Sequence, residues 1–210
     1  MITPNLLLAL SLYISPMNAM TTSDAIGKTN DSMVQTTHVE YQQKKKKTKV
    51  VEIKSLPTSL EELQAMDGAD LKDEFKVAAL VVAVLCNYEK DMDATFEMLE
   101  FLNGPNTISK YDKEFIRDRL KDKQYKTFSF FEGTSPQNNY TTTAPYKIKV
   151  STNPYSYQVG NYVTLWLDSS GSDNPRPIKL RKKPSTGQWF VNDITFLSDI
   201  RIPVAQDEWN

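Results

Sequence analysis

The sequence predicts an α+β fold: an N-terminal cluster of three to four helices packed on a C-terminal four-stranded antiparallel meander. Three observations carry this. Residues 77–85 are apolar without interruption, and the segments around them repeat their apolar residues at helical spacing. From Tyr146 onward the apolar period becomes two, the mark of half-buried strands. The links between those strands, Gly171–Asn174 and Ser185–Gly187, are short and turn-like, as antiparallel neighbours require. Helices followed by strands read as α+β.

The first helix is expected from Pro57-Thr58-Ser59-Leu60-Glu61 to about Met66. Thr58 is the expected cap, Glu61 completes a capping box, and Asp67-Gly68 ends the helix. Asp70 has the character to cap the second helix, with Asp73 and Glu74 in its first turn. Its stretch Val77–Leu85 reads as a buried helix, with a buried strand as the rival reading because of its valines. A third helix runs from about Asp91 to Leu102, with Met92, Phe96 and Leu99 on one stripe, and stops at Asn103-Gly104-Pro105. A fourth spans about Ser109 to Lys123. Ile108, Tyr111, Phe115 and Leu120 are expected to face inward, opposite a charged face of Lys113, Glu114, Arg117, Asp118 and Arg119.

The strands follow. Tyr146, Ile148 and Val150 alternate with Lys147 and Lys149. Val163, Leu165 and Leu167 alternate with Tyr162, Thr164 and Trp166. Ile178 and Leu180 alternate with Lys179 and Arg181, and Gln188–Ile194 places Trp189 and Val191 on one face.

The 210 residues suit one domain, expected over 48–210, behind a leader and linker over 1–47. Composition is ordinary for a globular chain, 40% hydrophobic and 24% charged. The net charge of -1 argues against a dedicated nucleic-acid binder, so no nucleic-acid partner is expected. Of 25 basic and 26 acidic residues, five and three lie in residues 1–47, which leaves 20 and 23 in the expected domain. The sharpest basic run is Lys44–Lys47.

The apolar run Leu6–Ile14 has the length of a signal-peptide core and is too short for a transmembrane helix. No Lys or Arg precedes it, and Met17 stands where a small residue is preferred. The competing reading places the start at Met20 or Met33. A cytoplasmic location is expected, with export through residues 1–19 as the alternative. No integral membrane segment is expected. Residues 20–47 are polar and lysine-rich and read as a disordered linker.

Chemical equipment is sparse. The one histidine, His38, lies in the linker, and the one cysteine, Cys86, lies in the most apolar helix, where a thiol is inert. There is no CxxC, no histidine pair and no glycine-rich phosphate loop. Asp168 and Asp173 read as turn residues. No catalytic residue, metal site or cofactor is assigned.

Two surfaces remain as candidates. One is basic: Arg176, Lys179, Arg181, Lys182 and Lys183, with Trp189 on the next strand. The other is polar and aromatic: Asn153, Tyr155 and Tyr157, joined by Phe130 and Phe131 and by Asn138 and Asn139 of the following loop. These make a protein-interaction module the leading expectation, with a protein partner. The alternatives are an unfamiliar enzyme or small-ligand binder using loop 130–140 with Arg176, and an exported domain that binds a surface polymer.

Several stretches carry a resemblance. They are Val51-Glu52-Ile53-Lys54-Ser55-Leu56-Pro57-Thr58-Ser59-Leu60-Glu61-Glu62, the run from Phe130 to Tyr140, Asn153–Ser156, the run from Ser170 to Arg181, and Gly187-Gln188-Trp189. Over about residues 50–204 the chain resembles an uncharacterised bacterial domain-of-unknown-function family. That family has Ala where this chain has Thr134 and Thr where it has Ser135. The resemblance implies a domain boundary and a cytoplasmic protein, and it implies no reaction.

Overall fold

The computed structural model describes residues 46–209. The expected leader, most of the linker and His38 lie outside the described residues. The described chain is α+β. A five-stranded antiparallel sheet in the order β1-β2-β3-β4-β5 carries helices on one face. The strands β2 (Tyr146–Ser151), β3 (Tyr162–Leu167), β4 (Arg176–Lys183) and β5 (Gln188–Asp193) form the expected meander. The fifth strand, β1 (Thr48–Ile53), was not expected. Its adjacent valines Val50 and Val51 blur the alternation, and its charged flanks resemble linker. Tertiary pairing with β2 decides it, with Val51 opposite Ile148 and Ile53 opposite Tyr146.

Helix α1 (Leu60–Gln64) starts one residue later than expected. Ser59 is the cap and accepts from the Glu62 amide at 3.3 Å, while the Glu62 carboxylate accepts from the Thr58 amide at 2.7 Å. Helix α2 (Glu74–Leu85) is capped by Asp73 rather than Asp70. The reason is Leu71, which is buried and sits at φ 61, a left-handed conformation that no helix passes through. Leu71 takes that turn to place its carbonyl 2.7 Å from the Trp189 amide of β5. The segment is tied down twice more, by Gln188 Nε2 donating to the Asp70 carbonyl and Lys72 Nζ donating to the Thr186 carbonyl.

Every residue of α2 from Val77 to Leu85 is fully buried, so the helical reading holds over the strand rival. Helix α3 (Met92–Asn103) is capped by Asp91 and ends at Gly104, φ 69. A Cβ on Gly104 would lie 2.2 Å from the Phe190 ring, so β5 requires glycine there. Phe96 and Leu99 point inward as expected, while Met92 is partly exposed.

In α4 (Lys110–Leu120) the inward residues are Ile116 and Leu120. Tyr111 is 75% exposed, a correction to the expected stripe, and Phe115 is half-buried beneath Arg119. The charges on both sides of Ile116 hid the true face from the pattern. A further short helix, α5 (Tyr125–Phe128), follows. No helix among the described residues is long and apolar enough to cross a membrane.

Asp73 joins the first strand to the first long helix. It caps α2 and pairs with Lys49 of β1 at 2.5 Å. Burial by itself would raise the Asp73 pKa, but the Lys49 ammonium and the amides of Lys76 and Phe75 outweigh it and hold the carboxyl below its ordinary value of 3.8. A depressed carboxyl stabilises the fold above its unfolded pKa, and that contribution disappears as pH falls through the folded value. Asp73→Asn keeps a cap and loses the ion pair. It is expected to be less stable than the parent at pH 7, with the difference closing below about pH 4, in urea titrations across pH. Ile116→Ala is expected to cost about 2–5 kcal/mol in the same assay, against less than about 0.5 kcal/mol for Tyr111→Ala.

Candidate functional site

The two surfaces expected from the sequence are partly dismantled and partly joined. Phe130 and Phe131 are core residues, each 2% exposed. Phe130 meets Phe196 edge-on at 5.1 Å, and Phe131 packs on Tyr146 at the same distance. Phe131 also bridges to Ile148, filling the gap where β3 has turned away from β2.

The loop beyond them is a joint. The Thr134 hydroxyl donates to the Phe131 carbonyl at 2.7 Å and meets the Ser170 hydroxyl at 2.8 Å. The Ser170 amide donates to the Ser129 carbonyl. Ser135 and Asn138 cap each other, and Asn138 Nδ2 donates to the Gly133 carbonyl, so the Asn138 amide is occupied inside its own loop. Asn139 supplies a left-handed turn at φ 53. Tyr140 then enters the core and donates its hydroxyl to the Arg201 carbonyl at 2.7 Å. Burial, with Tyr125 stacked alongside, pushes its pKa up to about 12. Gly171 makes room: a Cβ there would lie 2.5 Å from the Tyr140 hydroxyl oxygen.

A cleft of about 520 Å³ lies beside this loop, lined by Ser135, Pro136, Gln137, Ser170 and Arg201 among others. Arg176 is not among its lining residues. Its guanidinium pairs with Asp199 at 3.1 Å. Asp168 and Asp173 are each ion-paired, to Lys149 and Arg201. Among the described residues no group of three His, Cys, Asp or Glu is placed to hold a metal ion. Cys86 is buried, and burial pushes its thiol up to about 12.

The remaining candidates meet at one end of the sheet. In an antiparallel meander the start of β1, the end of β2, the start of β3, the end of β4 and the start of β5 all fall together. Lys46 and Lys47, Asn153–Tyr157, Arg181–Lys183 and Trp189 therefore share this end. A cleft of about 560 Å³ opens there, lined by Lys47, Lys72, Glu74, Tyr157, Lys182 and Trp189, with Thr152, Gly160 and Asn161. A second hollow of about 300 Å³ adjoins it, sharing Asn161 and Lys182 and adding Arg181, Lys183 and Phe190.

The chemistry of this end is cations laid on aromatic faces. Lys182 Nζ stands 5.3 Å from the Trp189 ring and Lys47 Nζ 5.0 Å from the Phe75 ring. On the outer sheet face Lys179 and Arg181 flank the Tyr162 ring at 5.0 and 5.5 Å, on one face as alternation requires. Trp189 is not with them; it lies on the core face beneath Lys182, 7% exposed.

Asn153 forms an Asx turn, its Oδ1 accepting from the Tyr155 amide at 2.8 Å, and this turn holds Tyr155 outward, 62% exposed. Tyr157 turns inward and donates its hydroxyl to Glu74 Oε1 at 2.7 Å. Burial and that carboxylate both push the Tyr157 pKa well up. Sequence reasoning missed Lys47, Lys72 and Glu74 as partners of Lys182, because strand pairing brings 47 towards 182 and a bond from Lys72 Nζ to the Thr186 carbonyl brings 72 to them. It also missed Arg201.

The fold and this surface define a small helix-on-sheet domain with a basic, aromatic cleft at one end of the sheet. Residues 55–204 match the domain of unknown function DUF6935, and the chain belongs to that family. No curated protein and no solved structure matches the chain.

Gly171→Ala is expected to destabilise the domain by about 1–3 kcal/mol, because a methyl group there overpacks against Tyr140 and Ile200. Combining it with Tyr140→Phe, which removes the clashing oxygen, is expected to recover part of that loss in thermal unfolding.

Proposed function

We propose that this domain is a non-enzymatic interaction module that takes an acidic segment of a partner protein into the cleft at the β4 end of the sheet. The observation that carries the reading is the joint lining of that cleft by Lys47, Lys72 and Lys182 with Tyr157 and Trp189, in a chain whose net charge is -1. Clustered cations on a nearly neutral chain attract acidic groups, and clefts concentrate that field. The aromatic rings beneath Lys182 and Lys47 are buried and fix where those ammonium groups stand. The three lysines of the cleft outnumber its one carboxylate, Glu74, which accepts the Tyr157 hydroxyl. The exposed Tyr155 and Val159, 62% and 61% accessible, extend an apolar rim on the loop entering β3.

A glutamate-rich peptide titrated into the protein is the direct test, followed by tryptophan fluorescence. Saturable binding that weakens with salt is expected, reduced by about tenfold in Lys182→Glu and in Lys47→Glu. Equal binding by the parent and both charge-reversed proteins overturns the reading. So does tighter binding of a single-stranded oligonucleotide than of the peptide, since phosphate backbones make the same demand on lysines.

A further inference from the structure

The two edges of the sheet are treated differently by the chain. The β5 edge is closed. Its Trp189 amide donates to the Leu71 carbonyl, Gln188 and the residue 186 carbonyl are bonded to the 70–72 segment, and Phe190 packs on Gly104. Among the described residues the β1 edge is open. Lys47 and Thr152 bond each other across the β1–β2 pair, so alternation gives Lys49, Val51 and Ile53 the bonds to β2. The amides and carbonyls of Thr48, Val50 and Glu52 therefore point away from the sheet. Among the described residues nothing pairs with them, and Val50 is 47% exposed. An uncovered row of donors and acceptors is a template for another strand.

Charge along this edge is polarised. Lys46 and Lys47 stand at its start. Glu52 stands at its end, beside a groove of about 920 Å³ that Glu62, Asp67 and, beyond the strand, Lys54 also line. Asp67 is paired with Lys76 and Glu62 with Thr58, while Glu52 has no such partner among the described residues. A two-fold axis perpendicular to the sheet brings the start of one such strand to the end of the other.

We propose that a second copy of this chain occupies the β1 edge, two β1 strands pairing antiparallel to make a continuous ten-stranded sheet. The register that satisfies both hydrogen bonding and charge sets Lys49 opposite its own counterpart, Thr48 opposite Val50, and Lys46 opposite Glu52, twice by symmetry. Lys49 is already neutralised by Asp73, so its self-contact costs little. This pairing shares only Lys47 with the cleft, and its test positions Lys46, Val50 and Glu52 leave Lys182, Tyr157 and Trp189 untouched.

Sedimentation velocity of the full chain over a range of concentrations tests the pairing. The parent is expected to dimerise. Val50→Pro removes an amide that points off the sheet and leaves the β1–β2 bonds in place, so it is expected to give a folded monomer. Glu52→Lys is expected to weaken dimerisation by about tenfold, because two symmetric contacts are lost together. Adding Lys46→Glu to Glu52→Lys is expected to restore it. A parent that stays monomeric at every concentration overturns the proposal, as does a dimer indifferent to both Val50→Pro and Glu52→Lys.

Discussion

Helix α2 has no polar face, and the domain is arranged around that fact. Nine consecutive residues, Val77 to Leu85, are fully buried. A helix of this kind is stable only when covered on all sides, since each exposed aliphatic side chain forfeits about 1.5–3 kcal/mol of burial. The sheet covers one side, and α2 touches all five of its strands. Helices α3 and α5 cover much of the rest. The apolar rows of the sheet, from Val51 on β1 to Val191 on β5, exist to meet this helix.

That demand explains features which look local. Strand β1 extends the sheet beyond the meander, so the helix is covered by five strands instead of four. Asp73 holds the helix start to β1 through Lys49, fixing where the helix begins as well as what lies beneath it. Leu71 adopts a left-handed turn because its side chain belongs in the core while its carbonyl closes the far edge of the sheet. The helix therefore starts at residue 74, and a sequence reading that sees only a run of carboxylates has no means of choosing Asp73 over Asp70.

The loops rich in Gly, Asn, Ser and aromatics do a related task at the other end. Phe130 and Phe131 plug the gap between β2 and the departing β3, and Tyr140 closes over Gly171. Ser and Thr hydroxyls stitch the 129–134 segment to 169–170. These are the stretches that carried the family resemblance, and their contacts are made within the domain. The groups left to face outward are at the β4 end of the sheet, where lysines lie on aromatic rings.

The sequence by itself determined the helix-then-strand order, the burial of residues 77–85, the four meander strands with their inward residues, and the common face of Lys179 and Arg181. Each of these follows from a period of 3.6 or 2 between neighbours a few residues apart, a signal that needs no partner. Tertiary structure decided the rest. Strand β1 is a strand because β2 pairs with it, Ile116 and not Tyr111 faces inward because of where α4 docks, and Trp189 lies beneath Lys182 rather than beside Arg181. Lys47, Lys72 and Lys182 line one cleft across 135 positions of chain, and such separation is closed by strand pairing and by the bond from Lys72 to the Thr186 carbonyl, which no local pattern encodes.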